Sequence, residues 1–262
     1  MEFPTQDIHI LSLAQLARGQ DWRVQLAHDH PHHLLIWTTR GQGVVLLNGM
    51  RRGLGTHNAL YLPAGSLFAL ELGRQVMGYA LIIPQDTPLR MPHMARHLRI
   101  REVQVQSELT GLIEAAQREN DATHPLRADA MEGHAALVSV WLRRQIMQED
   151  HLPEPRNAAK RLSERFCALL PERFASGDVM ADYARTLGVT PTHLTRAVRA
   201  ATGKTASDLL TERILYEARR LLGETDLPAL RIAEHLGFGS AAYFTRFMQH
   251  HTGLTPSKLR GT

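Results

Sequence analysis

Two groups of side chains in this 262-residue sequence have the types and spacing to do chemistry. The first is a pattern that occurs twice near the C-terminal end. Ala184, Leu187, Gly188, Thr190, Thr195-Arg196 and Thr202-Gly203 recur as Ala233, Leu236, Gly237, Ser240, Thr245-Arg246 and Thr252-Gly253, offset by 49 residues at the start and 50 from the turn onward. The polar members are Thr190, Thr192, His193, Thr195, Arg196 and Arg199 in one copy, and Ser240, Tyr243, Thr245, Arg246 and Gln249 in the other. Such side chains bond phosphates and base edges, and a guanidinium can engage O6 and N7 of guanine together. On one isolated helix they would simply be solvated. Two copies with Thr-Arg at the same phase after the same turn point instead to a paired nucleic-acid reader. The second group is His28, His30, His32 and His33, which could hold a metal, line a ligand pocket or sit on the surface.

The elements that position the first group are legible in each copy. Ala184 with Leu187, and Ala233 with Leu236, close an amphipathic helix with a small packing residue and a core anchor. Gly188 and Gly237 follow, where a left-handed cap suits a residue without Cβ. Thr190, with Pro191 behind it, and Ser240 have the chemistry of N-caps for a second helix. In those second helices Leu194 and Val198, and Phe244 and Met248, are spaced to face inward. Each copy is therefore predicted to be helix, tight turn and helix. Between them Leu210, Ile214, Ala218 and Leu221 recur at helical spacing over 206–222, with Gly223 as the expected stop. A helix of that length spans about 24 Å and would act as a rigid spacer.

These residues resemble the AraC/XylS family of bacterial transcription regulators. The resemblance covers about 160–262 and rests on Ile232-Ala233, Gly237-Phe238, Tyr243-Phe244, Arg246 and Gly253 to Pro256. It implies two recognition helices entering successive major-groove segments, about 34 Å apart, on one face of a duplex. Ala241 and Ala242 stand where many members carry longer polar residues. The first copy, with Arg196, is therefore expected to dominate base readout, and the second, with Arg246, to fix register. Charge agrees in sign: residues 156–262 carry a net +6 and residues 1–155 a net −2.

Residues 1–100 alternate short apolar runs with turn signals, among them Leu34 to Thr38, Gly43 to Leu47, Ala59 to Leu62, Leu67 to Leu70 and Val76 to Ile83. Asn48-Gly49 between two of these runs is a hairpin signal. With the H-x-H, R-G-x-G and P-x-G arrangement, the region resembles the cupin-like sensor domain of many AraC-type regulators. That resemblance implies a small-molecule effector pocket, for which His30, His32, Trp37, Tyr61 and Phe68 are the candidate lining, although Trp37 and Phe68 also fit an ordinary core. A metal-binding cupin would need a Glu near Ile36 or Trp37 and a His near Phe68. His30 and His32 are two ligands of four, a poor site unless His28 or His57 completes it, so neither metal nor cofactor is expected.

Residues 101–149 read as helices with apolar stripes, including Leu109, Leu112 and Ile113 and a second set from Met131 to Ile146. By resemblance they would pair with a second subunit; otherwise they cover the barrel. Pro153 and Pro155 place a linker at 150–157. No basic-then-apolar leader opens the sequence, no apolar run reaches 18 residues, and the single Cys167 reads as a buried helix residue in a reducing compartment. The expected molecule is an α+β two-domain, non-enzymatic cytoplasmic regulator. It would have a cupin-like β-barrel over 1–100, flanking dimerisation helices over 101–149, and an all-α domain over 158–262 with two helix-turn-helix units joined by a long connecting helix. Its expected partners are promoter DNA, an effector, a second copy and RNA polymerase. The rival readings are a metal-dependent cupin enzyme and an effector-independent DNA-binding protein.

Overall fold

The computed structural model of the chain describes residues 7–17, 19–148 and 157–260. Most of the expected linker at 150–157 lies outside the described residues. Among the described residues the N-terminal half holds eight strands and four helices: β1 (His9–Ser12), α1 (Leu13–Ala17), α2 (Trp22–Gln25), β2 (His32–Arg40), β3 (Gly43–Leu47), β4 (Met50–Leu54), β5 (Asn58–Leu62), β6 (Phe68–Leu72), β7 (Met77–Pro84), β8 (Arg96–Arg99), α3 (Val103–Asp121) and α4 (Arg127–Gln148). The C-terminal half is helical: α5 (Ala158–Arg173), α6 (Met180–Leu187), α7 (Pro191–Thr202), α8 (Ala206–Glu224), α9 (Ala229–His235), α10 (Ala241–Thr252) and α11 (Pro256–Leu259). Gly223, expected to stop the connecting helix, lies inside its last turn, and Thr225 forms the cap.

The strands form two antiparallel sheets, ordered β1-β7-β2-β5-β8 and β4-β3-β6. The barrel-like body is thus two facing sheets, and an isolated bridge joins His28, ahead of β2, to Phe68 at the start of β6. Alternation along the strands assigns each face to a core. Leu34, Ile36, Leu60, Val45, Leu47 and Phe68 meet between the sheets. Leu35, Trp37, Tyr61, Leu81 and Ile83 point the other way, against Leu109, Ile113, Met131, Val138 and Trp141 of α3 and α4. The β3–β4 hairpin turns at Asn48 and Gly49, with φ of 50° and 64°, the doubly left-handed geometry that Asn-Gly tolerates. Three strands escaped the sequence reading, including β4, whose Arg51, Arg52 and Gly53 interrupt the apolar pattern.

Leu109 and Ile113 are 0% exposed within this chain, and Leu112 packs partly buried beside them. The expectation that they form a dimer surface is therefore corrected: the apolar stripe of α3 covers the sheet. Periodicity identified a buried face and could not say whose surface buries it.

The two halves share a core. The outer face of the smaller sheet sends Leu46, Leu67 and Ala69 into the cluster of Leu162, Phe166, Cys167, Tyr183 and Val198. Each buried leucine contributes roughly 1.5–3 kcal/mol, so apolar contact holds this part of the seam. The Ser163 hydroxyl also donates to the Gly49 carbonyl at 2.7 Å. Cys167 is buried in that core, which pushes its thiol up to about 12 and leaves it an inert packing residue.

Candidate DNA-binding interface

Both copies of the repeated pattern fold as helix, turn and helix. In the first, α6 ends at Gly188 with φ of 73°, and the Thr190 hydroxyl accepts the His193 amide N–H at 3.2 Å to start α7. In the second, α9 gives way to Gly237 with φ of 75°, and the Ser240 hydroxyl accepts the Tyr243 amide N–H at 3.1 Å to start α10. Thr190 and Ser240 thus have capping roles in addition to lying on the exposed edge. The Thr-Gly pairs close the same helices: the hydroxyls of Thr202 and Thr252 lie 2.8 and 2.7 Å from the carbonyls one turn back and accept the amides two residues on, both at 3.1 Å. Gly203 and Gly253 then turn left-handed. The sequence displayed these pairs, but their reciprocal bonds became readable only in three dimensions.

Inward residues separate cleanly from outward ones. Leu194, Val198, Phe244 and Met248 are each 0% exposed. Thr192, His193, Arg196 and Arg199 are exposed on α7 with Thr195 half-buried, and Tyr243, Arg246 and Gln249 are exposed on α10 with Thr245 half-buried. Arg196 and Arg246 make no ion pair or hydrogen bond among the described residues, whereas Arg173, Arg185, Arg213, Arg220 and Arg231 are all paired. Two uncommitted guanidinium groups, one on each second helix, are what a polyanion can neutralise without first breaking a protein contact.

The expected effector residues divide between two environments. His30, His32 and Phe68 line a cavity of about 330 Å³ between residues 22–32 and one face of α8. Trp37 and Tyr61 do not: both are 0% exposed on the α3/α4 face. Trp37 Nε1 donates to Thr110 Oγ1 at 3.1 Å and the Tyr61 hydroxyl donates to the Pro92 carbonyl at 2.9 Å. Their place in the lining is corrected, because strand alternation turns the odd-numbered residues of β2 and β5 away from the cavity. Among the described residues, no three His, Cys, Asp or Glu side chains come together as a metal site.

Residues that the sequence reading passed over build that cavity. Asp29 Oδ1 accepts Arg213 Nε at 2.6 Å, and Arg213 reaches Glu217 at 3.2 Å. Glu217 meets Arg220 at 2.6 Å, Arg220 lies 3.7 Å from Glu224, and Glu224 returns to Arg23 at 2.8 Å. An alternating chain of six charges therefore leaves the N-terminal half at Asp29, climbs α8 and re-enters at Arg23. Arg213 also lies 3.7 Å from the centre of the Phe174 ring, and Glu212 accepts the Ala27 amide at 3.1 Å. Burial opposes charge on Glu217, yet bonds from Arg220 and Arg213 outweigh it and hold its carboxyl below the usual range. His28 is stacked on Tyr216 at 4.1 Å and packed on Phe68 at 4.3 Å. Burial lowers its pKa to about 3, so the ring is neutral and Nδ1 donates to the Leu26 carbonyl at 2.8 Å. The i, i+4, i+7, i+11 spacing of Arg213, Glu217, Arg220 and Glu224 was the signal available in the sequence.

A model of the helix-turn-helix domain matches residues 183–262, the span that contains both units. The HTH-type transcriptional regulator GlxA of Rhizobium meliloti is 32% identical over 150 residues, covering 53% of this chain and 45% of that protein. The MmsAB operon regulatory protein of Pseudomonas aeruginosa is 23% identical over 267 residues, covering 98% of this chain and 83% of that protein. Over residues 183–262 the chain is similar to the helix-turn-helix domain of AraC/XylS-type transcription regulators. It spans less than half the length of the GlxA relative. A crystal structure of ToxT from Vibrio cholerae is similar at a TM-score of 0.42 and 11% identity, over 97% of each chain. The match begins at Tyr183, inside α6, and so takes in both turns and the connecting helix. No helix among the described residues is long and apolar enough to cross a membrane.

Proposed function

We propose that this chain is a sequence-specific transcription regulator of the AraC/XylS type that binds promoter DNA through α7 and α10, under the control of a small-molecule effector. The observation that carries the reading is the pair of exposed second helices, each with an uncommitted arginine, on a domain of the matched type. In this reading α7 supplies base readout through Arg196 and its neighbours, while α10, which begins with Ala241 and Ala242, supplies phosphate contacts and register. The N-terminal sheets with α3 and α4 form the sensing unit, and residues 158–260 form the DNA-binding unit. Effector control is supported by the cavity on the connecting helix, since whatever occupies it touches the element that sets the spacing of the two readers. A second copy, if the operator is long enough to take two, finds Leu137 and Met147 exposed on α4.

Footprinting the full chain on the intergenic DNA beside its own gene tests the proposal. A defined protected site is expected, and Arg196→Ala should relax base preference at one position at a cost of about 1–3 kcal/mol. Binding that is strong on every sequence, with steep salt dependence and no protected site, would instead favour an architectural DNA-binding protein.

A further inference from the structure

We infer that the cavity between residues 22–32 and α8 binds a small zwitterion of the amino-acid type, held between the two halves of the chain. The inference rests on the effector-controlled reading above and names the chemistry of that effector.

The cavity, at about 330 Å³, lies at the small end of the range for ligand pockets, roughly 300–1,000 Å³. Its charges cancel: Arg23, Arg213 and Arg220 stand against Asp29, Glu217 and Glu224. A ligand with net charge would add an uncompensated ion beside Arg213 and Glu217, whose side chains are 7% and 9% exposed. A zwitterion adds none. Arg213 uses Nε and one terminal nitrogen in its carboxylate pairs, so its second terminal nitrogen is available to a ligand carboxylate, while the Glu217 carboxylate at the cavity wall attracts an ammonium. His32 is 6% exposed at the cavity wall, and its Nδ1 has no hydrogen-bond partner among the described residues. A buried polar atom left in this way can take a hydrogen bond from a ligand donor or hydroxyl. Phe68 and Tyr216 supply the wall for an apolar side chain.

Two alternatives fit less well. A polyol meets the imidazole but offers only neutral groups to the ladder, and a monocarboxylate satisfies Arg213 while its charge stays unbalanced. Because the ligand touches both halves, it binds only when α8 is docked against residues 22–29. It therefore stabilises that arrangement, and by reciprocity its affinity is linked to that for DNA.

The test uses the full chain, thermal denaturation and titration calorimetry. Three sets of probes are compared: the protein amino acids, simple sugars with glycerol, and short-chain monocarboxylates. At least one amino acid should raise Tm saturably, and the other two sets should not. Arg220→Gln, at a side chain 35% exposed, should weaken that binding about tenfold or more and also lower the unliganded Tm, because Glu217 then keeps only Arg213. His32→Gln, on the opposite wall, gives a second variant should the first fail to fold. The inference is overturned if no amino acid binds, if a sugar or monocarboxylate binds instead, or if both variants bind as tightly as the parent. Footprinting with and without the amino acid separates the two readings. A protected site without amino-acid binding overturns this inference alone, and amino-acid binding without a protected site overturns the regulator reading alone.

Discussion

Acid should loosen this molecule through His28, and the size of the effect follows from its surroundings. The ring is 2% exposed between Phe68 and Tyr216, with Arg213 and His30 disfavouring a positive charge, and its pKa falls from 6.5 to about 3, chiefly by burial. In the unfolded chain the same imidazole titrates near 6.5. Between these values the unfolded state holds a proton that the folded state excludes, so stability declines as pH drops through the interval. Each unit is worth about 1.4 kcal/mol at most, which makes the loss from pH 7 to pH 5 about 2 kcal/mol for this group. For a chain of this length that is a fall of about 4–8 °C in Tm. His9, His32, His33 and His97 are also lowered by burial and add to the total, so the decisive quantity is a difference between two proteins. His28→Asn keeps a donor for the Leu26 carbonyl and removes the titration. Denaturant melts of parent and variant at pH 7 and pH 5 should show the variant losing about 2 kcal/mol less over that interval. Equal losses would refute the reasoning, because they would mean that His28 accepts its proton without leaving the seam.

Three further outcomes are expected. Gly237→Ala should destabilise the chain by about 1–3 kcal/mol in a thermal melt, since φ is +75° and the added Cβ would lie 2.6 Å from the Gly177 nitrogen. Gly188→Ala has the same sign of φ but nothing within 4 Å of the new atom, and should cost less. Arg213→Met should cost about 3 kcal/mol in denaturant melts: Asp29 loses its partner, but Glu217 keeps Arg220. Arg246→Ala should weaken DNA binding evenly across sequences and shallow the salt slope by about one unit, measured by mobility shift at several salt concentrations.

The repeat made the C-terminal half legible because its instructions are local. Gly188, Thr190 and Pro191, and Gly237 and Ser240, act within a turn or two of themselves, and the folded helices begin and end where those residues require. Asn48-Gly49 worked in the same way for the hairpin. Wherever a residue acts across the chain, the sequence could name its type but not its partner. Leu109 and Ile113 displayed an apolar stripe, and only the packing of α3 on the sheet decided that their own chain covers it. Trp37 and Phe68 were equally plausible wall residues until strand register sent one to α3 and the other to the cavity.

By itself, then, the sequence determined two helix-turn-helix units, their unequal second helices and a strand-rich partner half, because caps, turns and periodicity are short-range physics. Tertiary structure decided that the connecting helix is also a docking surface. Asp29 and Arg213 lie 184 positions apart in sequence and 2.6 Å apart in space, and no local rule pairs them.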